Sequence, residues 1–583
     1  MSEIESYINH SNWRIKQNSN TSFSVSDMEA KIAEKESARW WFSQYSSEIA
    51  EAHRVGALYL HNLGRVTTYC MGWDLRALLA KGFGGNPDFL SSKPPHHLRV
   101  AFLQMANFLY TVQGEAAGAQ AFSNVDTLLA PYIRYENMSD KELEQAIQEL
   151  VYNLNVPTRA SGQPPFLNFQ LDLVAPKSLA SQQVMIGDIK YTTYYTYGDF
   201  QPEMDRFNKA FAKVMMTGDG GGKPFSFPIP TYSLPNLQRV DIPEIWEMTA
   251  KYGLPYFMMD ATSDDAYSMC CHLRLEKKLL MFRSGGIFAK FPLTGSIGVV
   301  TISLPAMSAM KGHSSFFDVL AHYMDLARDS LLIKGKILEG FMDKGLYPYS
   351  KYWLQDIKSN TGSYFGNHFR TIGLVGMNEA CLMETGKGIN TEGGRDWAKR
   401  VLEFMALTTN DYTDETGFLF NLEATPAETA AHYCARGNIK AGLDVKHSGT
   451  KETPYYTASS LLPSSFDGGL WAALDNQNKL QPLYTGGTVF HIFSEHQFTP
   501  KQTEKLIFAI KEKYQLPYIT FTPNIRICPE HGWIPDDVQG KCPICGAEVT
   551  VYSRPVGYLR PVKGFSDAKQ EEFRARHFFD EGL

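Results

Sequence analysis

Three of the eight cysteines stand close together near the end of the chain, in the stretch CPEHGWIPDDVQGKCPIC. Cys528 and His531 are two residues apart, ten residues follow, and Cys542 and Cys545 repeat the two-residue spacing. Two short knuckles that each supply two ligands suit tetrahedral zinc, which takes thiolate and imidazole and needs no redox chemistry. A closed four-ligand site leaves no position for water, so its expected role is structural. Two alternatives stay open: an iron–sulfur centre, and a set in which another residue replaces His531. A second group of thiols is the adjacent pair Cys270 and Cys271 in DATSDDAYSMCCHLRLE, while Cys70, Cys381 and Cys434 stand alone. Eight cysteines in so long a chain are not a disulfide scaffold; in a reducing compartment such residues serve metals or chemistry. Gly557, in RPVGYLRPV, follows the cluster closely. Taken alone it reads as a glycine that supplies a positive φ to a turn.

The elements that must position these groups are legible in part. The 583 residues are 44% hydrophobic, enough for a sizeable core, and the net charge of −6 leaves no basic excess for a nucleic-acid backbone. The N-terminal MSEIESYINHSNWRIKQNSN lacks the apolar core of a signal peptide. No apolar run approaches the roughly 18 residues that span a bilayer. The expectation is a cytoplasmic protein that binds neither membrane nor nucleic acid. SDKELEQAIQELVYNL opens on a capping box, Ser139 with Glu142, and its Leu143, Ile147, Leu150, Val151 and Leu154 share one face. TPKQTEKLIFAIKEKYQLP repeats the device with Thr499, Pro500 and Gln502 and runs into the strand-like YITFTP. IGVVTISLP (297–305) and GGTVFHIF (486–493) have the short apolar character of buried strands. Strands alternating with helices indicate α/β architecture, and a sheet closed into a barrel suits a long chain without Ser/Gly linkers.

Around Gly557, Arg554, Val556, Tyr558, Arg560 and Pro561, followed by KQEEFRARHF, resemble the C-terminal motif of glycyl radical enzymes, and more narrowly that of the anaerobic (class III) ribonucleotide reductases. There a zinc ribbon immediately precedes the radical glycine. LYLHNLGRVTTYCMGWDL, SGQPPFLNF, KPFSFPIPTY, TIGLVGMNEA, NLEATPAETA and YTGGTVFHI are similar to other blocks of the family. The resemblance implies a ten-stranded α/β barrel with an internal finger loop. It divides the chain into a catalytic barrel at 1–523, a zinc ribbon at 524–550, and a radical loop and tail at 551–583. It implies that Gly557 stores the radical, because a glycine α-carbon is flanked by an amide and a carbonyl and becomes planar without a side-chain clash. A thiol of comparable bond strength must then relay the hydrogen. The Met-x-Cys pattern puts Met269 beside the substrate and makes Cys271 the thiyl residue, with Cys270 as the competing thiol. Cys70 falls on the reducing cysteine, and Ser296, Thr425 and Ala427 fall at the substrate. Thr425 and Pro426 are expected to open a helix whose N-terminal amides face substrate phosphates.

By the same resemblance the activity is anaerobic reduction of ribonucleotides to 2′-deoxyribonucleotides. A separate activating enzyme with S-adenosylmethionine and a 4Fe–4S cluster installs the radical, and dNTP or ATP sets specificity at a homodimer interface. Formate-using members carry asparagine where this chain has Ser296 in TGSIGVVTISLP. Electrons from a thioredoxin- or glutaredoxin-like protein through Cys70 and a second cysteine (Cys270, Cys381 or Cys434) are therefore favoured over formate. Glu423 is the candidate acid or base for the departing 2′ hydroxyl; it reads equally well as a helix-start carboxylate. The residues ahead of the barrel are too few for the family's ATP-cone. The rival reading is another glycyl radical enzyme, an acyltransferase or dehydratase.

Overall fold

Along Leu167–Leu171 the apolar Leu167, Phe169 and Leu171 join the outer core while Asn168 and Gln170 turn the other way, yet all five residues are buried. A strand buried on both faces, apolar outward and polar inward, belongs to a barrel wrapped by helices. The computed structural model describes residues 3–9, 23–187, 194–259, 293–425, 428–535 and 539–579, together with the backbone of the short strands Ile189–Lys190, Tyr267–Ser268 and Arg274–Leu275.

The barrel strands in chain order are β1 (Cys70–Trp73), β2 (Gln120–Phe122), β3 (Leu167–Leu171), β4 (Ile229–Ser233), β5 (Tyr256–Met258), β6 (Thr294–Ser303), β7 (His368–Val375), β8 (Phe420–Glu423), β9 (Phe490–Ser494) and β10 (Tyr518–Pro523). Their spatial order is β8-β7-β6-β1-β2-β3-β4-β5-β10-β9. Strands β1 to β5 run parallel to one another, and β6, β7 and β8 and the β9–β10 pair are likewise parallel. The two halves meet antiparallel at β1/β6 and β5/β10. The ring closes through the residues just before β9: Gly486 N–H donates to Leu422 O at 2.7 Å and Ala424 N–H to Gly487 O at 2.8 Å. The expected ten-stranded α/β barrel is present.

Both capping boxes form as read. Ser139 caps α1 (Asp140–Leu154), whose five named apolar residues are all buried, and Thr499 caps α2 (Pro500–Lys513). None of the described helices is long and apolar enough to cross a membrane.

After β10 the chain continues almost without a break into β11 (Ile525–Cys528), β12 (Gly532–Ile534), β13 (Thr550–Ser553) and β14 (Arg560–Pro561), a small sheet in the order β12-β11-β13-β14. Gly557 therefore occupies the loop between two antiparallel strands, β13 and β14. Strand β13 crosses the 550/551 division, so the knuckles and the glycine loop share one sheet. The tail beyond is tied down: Arg576 donates to Ser553 Oγ at 3.2 Å and Arg554 O at 3.3 Å, and Phe579 N–H to Phe493 O at 2.8 Å.

Candidate active site and metal centre

The four expected ligands converge. All their donor atoms lie within 4.8 Å of one another. Cys528 Sγ is 3.6 Å from both His531 Nδ1 and Cys545 Sγ, and Cys542 Sγ is 3.8 Å from His531 Nδ1. Zinc bonds of about 2.3 Å to sulfur and about 2.0–2.1 Å to nitrogen give a tetrahedron with edges of about 3.5–3.8 Å. The spacing fits one such ion and includes His531. The apolar support is slight, only Cys528, Ile534 and Cys542 with Ala547 and Val549 against them. A bound ion would supply the folding energy this segment lacks.

The β11–β13 pairing, Ile525 to Tyr552 through Ile527 to Thr550, carries that anchor to the glycine loop. Gly557 is buried, and its carbonyl accepts from Tyr256 Oη–H at 2.5 Å and Arg554 Nη1–H at 2.8 Å. Next to it, Tyr558 Oη–H donates to Glu428 Oε2 at 3.0 Å. Gly557, Tyr558, Glu428, Thr429, Tyr69 and Gly118 all line one cavity of about 960 Å³. That volume accommodates a nucleotide-sized ligand.

Cys70 lies directly behind the Gly118 wall. A Cβ on Gly118 would come within 2.7 Å of Cys70 Sγ and 2.8 Å of Tyr69 O, so only glycine admits the sulfur there. Ala119 N–H donates to Cys70 Sγ at 3.4 Å. Across the barrel wall Cys70 pairs with Ser296. The Ser296 hydroxyl donates to Gly298 O at 3.1 Å and shares a 3.0 Å hydrogen bond with Thr371 Oγ1, at a β-bulge between Ser296 and Gly298. It is engaged in holding the strand.

Glu423, at the end of β8, is 2% exposed, and its Oε1 has no hydrogen-bond partner among the described residues. Burial holds its carboxyl well above the usual carboxylate range, and negative charge on neighbouring Cys70 pushes the same way. A carboxyl biased toward its protonated form thus sits within electrostatic reach of Cys70.

Thr425 is buried, with Oγ1 unpartnered among the described residues, and it is not helical. The helix expected to open at Thr425–Pro426 begins instead at Ala430, as α3 (Ala430–Lys440), with Thr429 as N-cap. The turn at 428–429 holds Glu428 against Tyr558 before the first helical bond, Tyr433 N–H to Thr429 O at 2.9 Å, can form. Of the thiols offered as partners for Cys70, Cys381 is buried and donates to Gly394 O at 3.3 Å, its pKa pushed up to about 12 by burial. Cys434 is fully buried among Val375, Ala430, Ala431, Ala435 and Tyr456, and burial raises it too. Met269, Cys270, Cys271 and Ala427 lie outside the described residues. Tyr256, Gly118 and Glu428 were not singled out from sequence. They meet their partners only in the folded chain, Gly118 with Cys70, Glu428 with Tyr558 and Tyr256 with Gly557, and the small-residue run EAAGAQ around Gly118 is the one local hint of a close approach.

The family model for anaerobic ribonucleoside-triphosphate reductase matches residues 17–579. The anaerobic ribonucleoside-triphosphate reductase of Haemophilus influenzae is 23% identical, over 98% of this chain and 85% of its own length. The anaerobic ribonucleotide reductase of Thermotoga maritima, solved in complex with dATP and CTP, superposes with a TM-score of 0.73 at 20% identity, covering 97% of this chain and 94% of that one. A Roseburia inulinivorans protein described for 1,2-propanediol dehydration shares the fold more distantly, with a TM-score of 0.57 at 11% identity over 93% of this chain and 84% of its own.

Proposed function

The chain belongs to the anaerobic ribonucleoside-triphosphate reductase family, and from that premise we propose how its residues carry out the reduction of ribonucleotides to 2′-deoxyribonucleotides. The carrying observation is the shared cavity: the Gly557 loop, the glycine window onto Cys70 and the turn before α3 all open into it. An S-adenosylmethionine-dependent activase removes one α-hydrogen atom from Gly557. Gly557 then takes the hydrogen atom of the Cys271 thiol, regaining its C–H bond and leaving a thiyl. The thiyl abstracts the 3′ hydrogen of the ribose, and the 2′ hydroxyl leaves as water on a proton from Glu423. Two electrons and one proton complete the reduction at C2′: Cys70 and its partner give up their two S–H bonds to form a disulfide and supply both electrons, one of their protons going to C2′ and the other returning to Glu423. Cys271 then returns the hydrogen atom to C3′ and recovers its own from Gly557. The protein's task is to hold these groups in order and exclude water.

Substrate phosphates fit the turn at 428–429 and the N-terminus of α3. Cys528, His531, Cys542 and Cys545 hold a zinc ion whose role is to fix the hairpin carrying Gly557. Ser296 is committed to its strand, which favours thiol reductants over formate. With Cys381 and Cys434 sealed in cores, Cys270 is the remaining candidate to pair with Cys70. Thiol exchange requires an accessible thiolate, which a buried thiol with a raised pKa does not offer. A nucleotide effector and a homodimer follow the family pattern. The test is anaerobic activation followed by incubation with CTP and either formate or a thioredoxin system. Deoxycytidine nucleotide formed with the thioredoxin system, and lost in Cys271→Ser, supports the reading. Turnover with formate alone would overturn the thiol route, and turnover by Cys271→Ser would overturn the thiyl assignment.

A further inference from the structure

Arg554 is among the largest fully buried side chains of the molecule, 1% exposed. Among the described residues no carboxylate pairs with it. Its guanidinium instead donates to Thr522 Oγ1 at 3.1 Å, Tyr256 Oη at 3.3 Å, the carbonyls of Gly253 and Leu254, and the Gly557 carbonyl at 2.8 Å. A buried cation without a counter-charge is costly and persists where its charge does something. Its five partners are all neutral oxygens, and one of them is shared: the Gly557 carbonyl also accepts from Tyr256 Oη–H at 2.5 Å. Tyr256 stays a neutral donor, because burial raises its pKa further than Arg554 lowers it. Arg554 also lies over the Tyr256 ring, 4.9 Å from its centroid, so the two donors are held as a unit.

We propose that Tyr256 and Arg554 form a two-donor cradle that draws unpaired spin away from the Gly557 α-carbon into its flanking amide and carbonyl, setting how readily that carbon gives up and recovers a hydrogen atom. The inference rests on the reading of Gly557 as the radical residue. When the α C–H bond of Gly557 breaks and its hydrogen atom departs, the remaining electron spreads over nitrogen, Cα and carbonyl. Donors on the carbonyl oxygen favour the form with negative charge on oxygen and positive character on nitrogen. A charge-assisted donor is stronger than a neutral one, and burial of both donors lowers the local dielectric and strengthens each bond. The same cradle makes transfer from the Cys271 thiol to Gly557 less favourable, so the radical rests on the glycine between turnovers.

The experiment compares activated wild-type and Tyr256→Phe enzyme by electron paramagnetic resonance and electron–nuclear double resonance, in water and in D2O. Wild type is expected to show exchangeable couplings from the two donors. Tyr256→Phe is expected to lose one of them, to show a larger α-proton splitting as spin returns to Cα, and to hold about three- to tenfold less radical, the size of one lost hydrogen bond. A purely structural role would lower the yield and leave the spectrum of the remaining radical unchanged. The wild-type measurement in D2O needs no variant, so a folding defect does not shield the proposal. A wild-type radical without exchangeable couplings, or a Tyr256→Phe spectrum superimposable on wild type, overturns the cradle and leaves Gly557 in place. A doublet that never appears in wild type, or that survives in Gly557→Ala, overturns the radical assignment and the cradle with it.

Discussion

Replacing Glu423 by Gln changes the fewest atoms while removing the proposed proton. Glu423 is 2% exposed, burial biases its carboxyl toward the protonated form, and its Oε1 has no partner among the described residues. Glutamine has nearly the same shape and is neutral, so packing at the end of β8 is preserved. A general acid contributes about 10²–10⁴-fold to a rate, or about 2.7–5.5 kcal/mol of barrier. The expected result is a fall of that size in kcat with KM within a few-fold of wild type. The pH profile supplies a second reading. The raised pKa means the acid form is present below it, so wild-type activity falls as pH rises through it, and the variant loses that limb. Wild-type stability falls in the same direction of pH. The folded carboxyl holds its proton after the unfolded one has released it, so the wild type loses about 1.4 kcal/mol per pH unit between the two values. The glutamine variant does not, and it should be the more stable protein above the ordinary carboxylate range. Anaerobic steady-state assays with CTP across pH, paired with denaturant melts, measure both. A variant that keeps more than a tenth of wild-type kcat, or that keeps the alkaline limb, refutes the assignment of Glu423 as the acid.

Gly118→Ala places a methyl group 2.7 Å from Cys70 Sγ; displacing the thiol should lower kcat at least tenfold at a stability cost of about 1–3 kcal/mol, read by turnover and thermal melts. Cys542→Ser removes one metal ligand and should cost metal stoichiometry and most of the radical yield, measured by elemental analysis and paramagnetic resonance, while circular dichroism retains the barrel's helices. His368 is fully buried against Met71, and burial and the nearby Arg370 cation lower its pKa to about 3. The unfolded chain therefore takes up a proton near pH 6.5 that the folded chain refuses. Stability should fall by about 1.4 kcal/mol between neutrality and pH 5.5 through this residue alone, a loss absent from His368→Gln in denaturant melts at the two pH values.

Much of this arrangement was written locally. The capping boxes at Ser139 and Thr499 act within four residues and formed where read. The knuckle spacing from Cys528 to Cys545 carried its own geometry, and the cluster closed as expected. The helix after β8 starts at Ala430 and not at Thr425, and the turn before it is held by the bond between Glu428 and Tyr558, 130 residues away, which no local pattern encodes. The contact of Tyr256 is likewise non-local. Its hydrogen bond to the Gly557 carbonyl spans 301 residues. In YFMM nothing marks which residue of the strand faces the barrel interior, since all of β5 is buried. In sequence Cys381 and Cys434 are both candidate partners for Cys70; all three thiols are buried, and what the tertiary structure adds is that Cys70 abuts Gly118, which lines the cavity.

The central claim is that Gly557 carries the radical, and protein prepared with α-deuterated glycine tests it most directly. After anaerobic activation, protein with ordinary glycine should give a doublet from its single remaining α-hydrogen. The deuterated protein should give a narrow singlet, and Gly557→Ala should give neither signal nor deoxynucleotide. A doublet unchanged by deuteration, or deoxynucleotide formed by Gly557→Ala, would contradict the account.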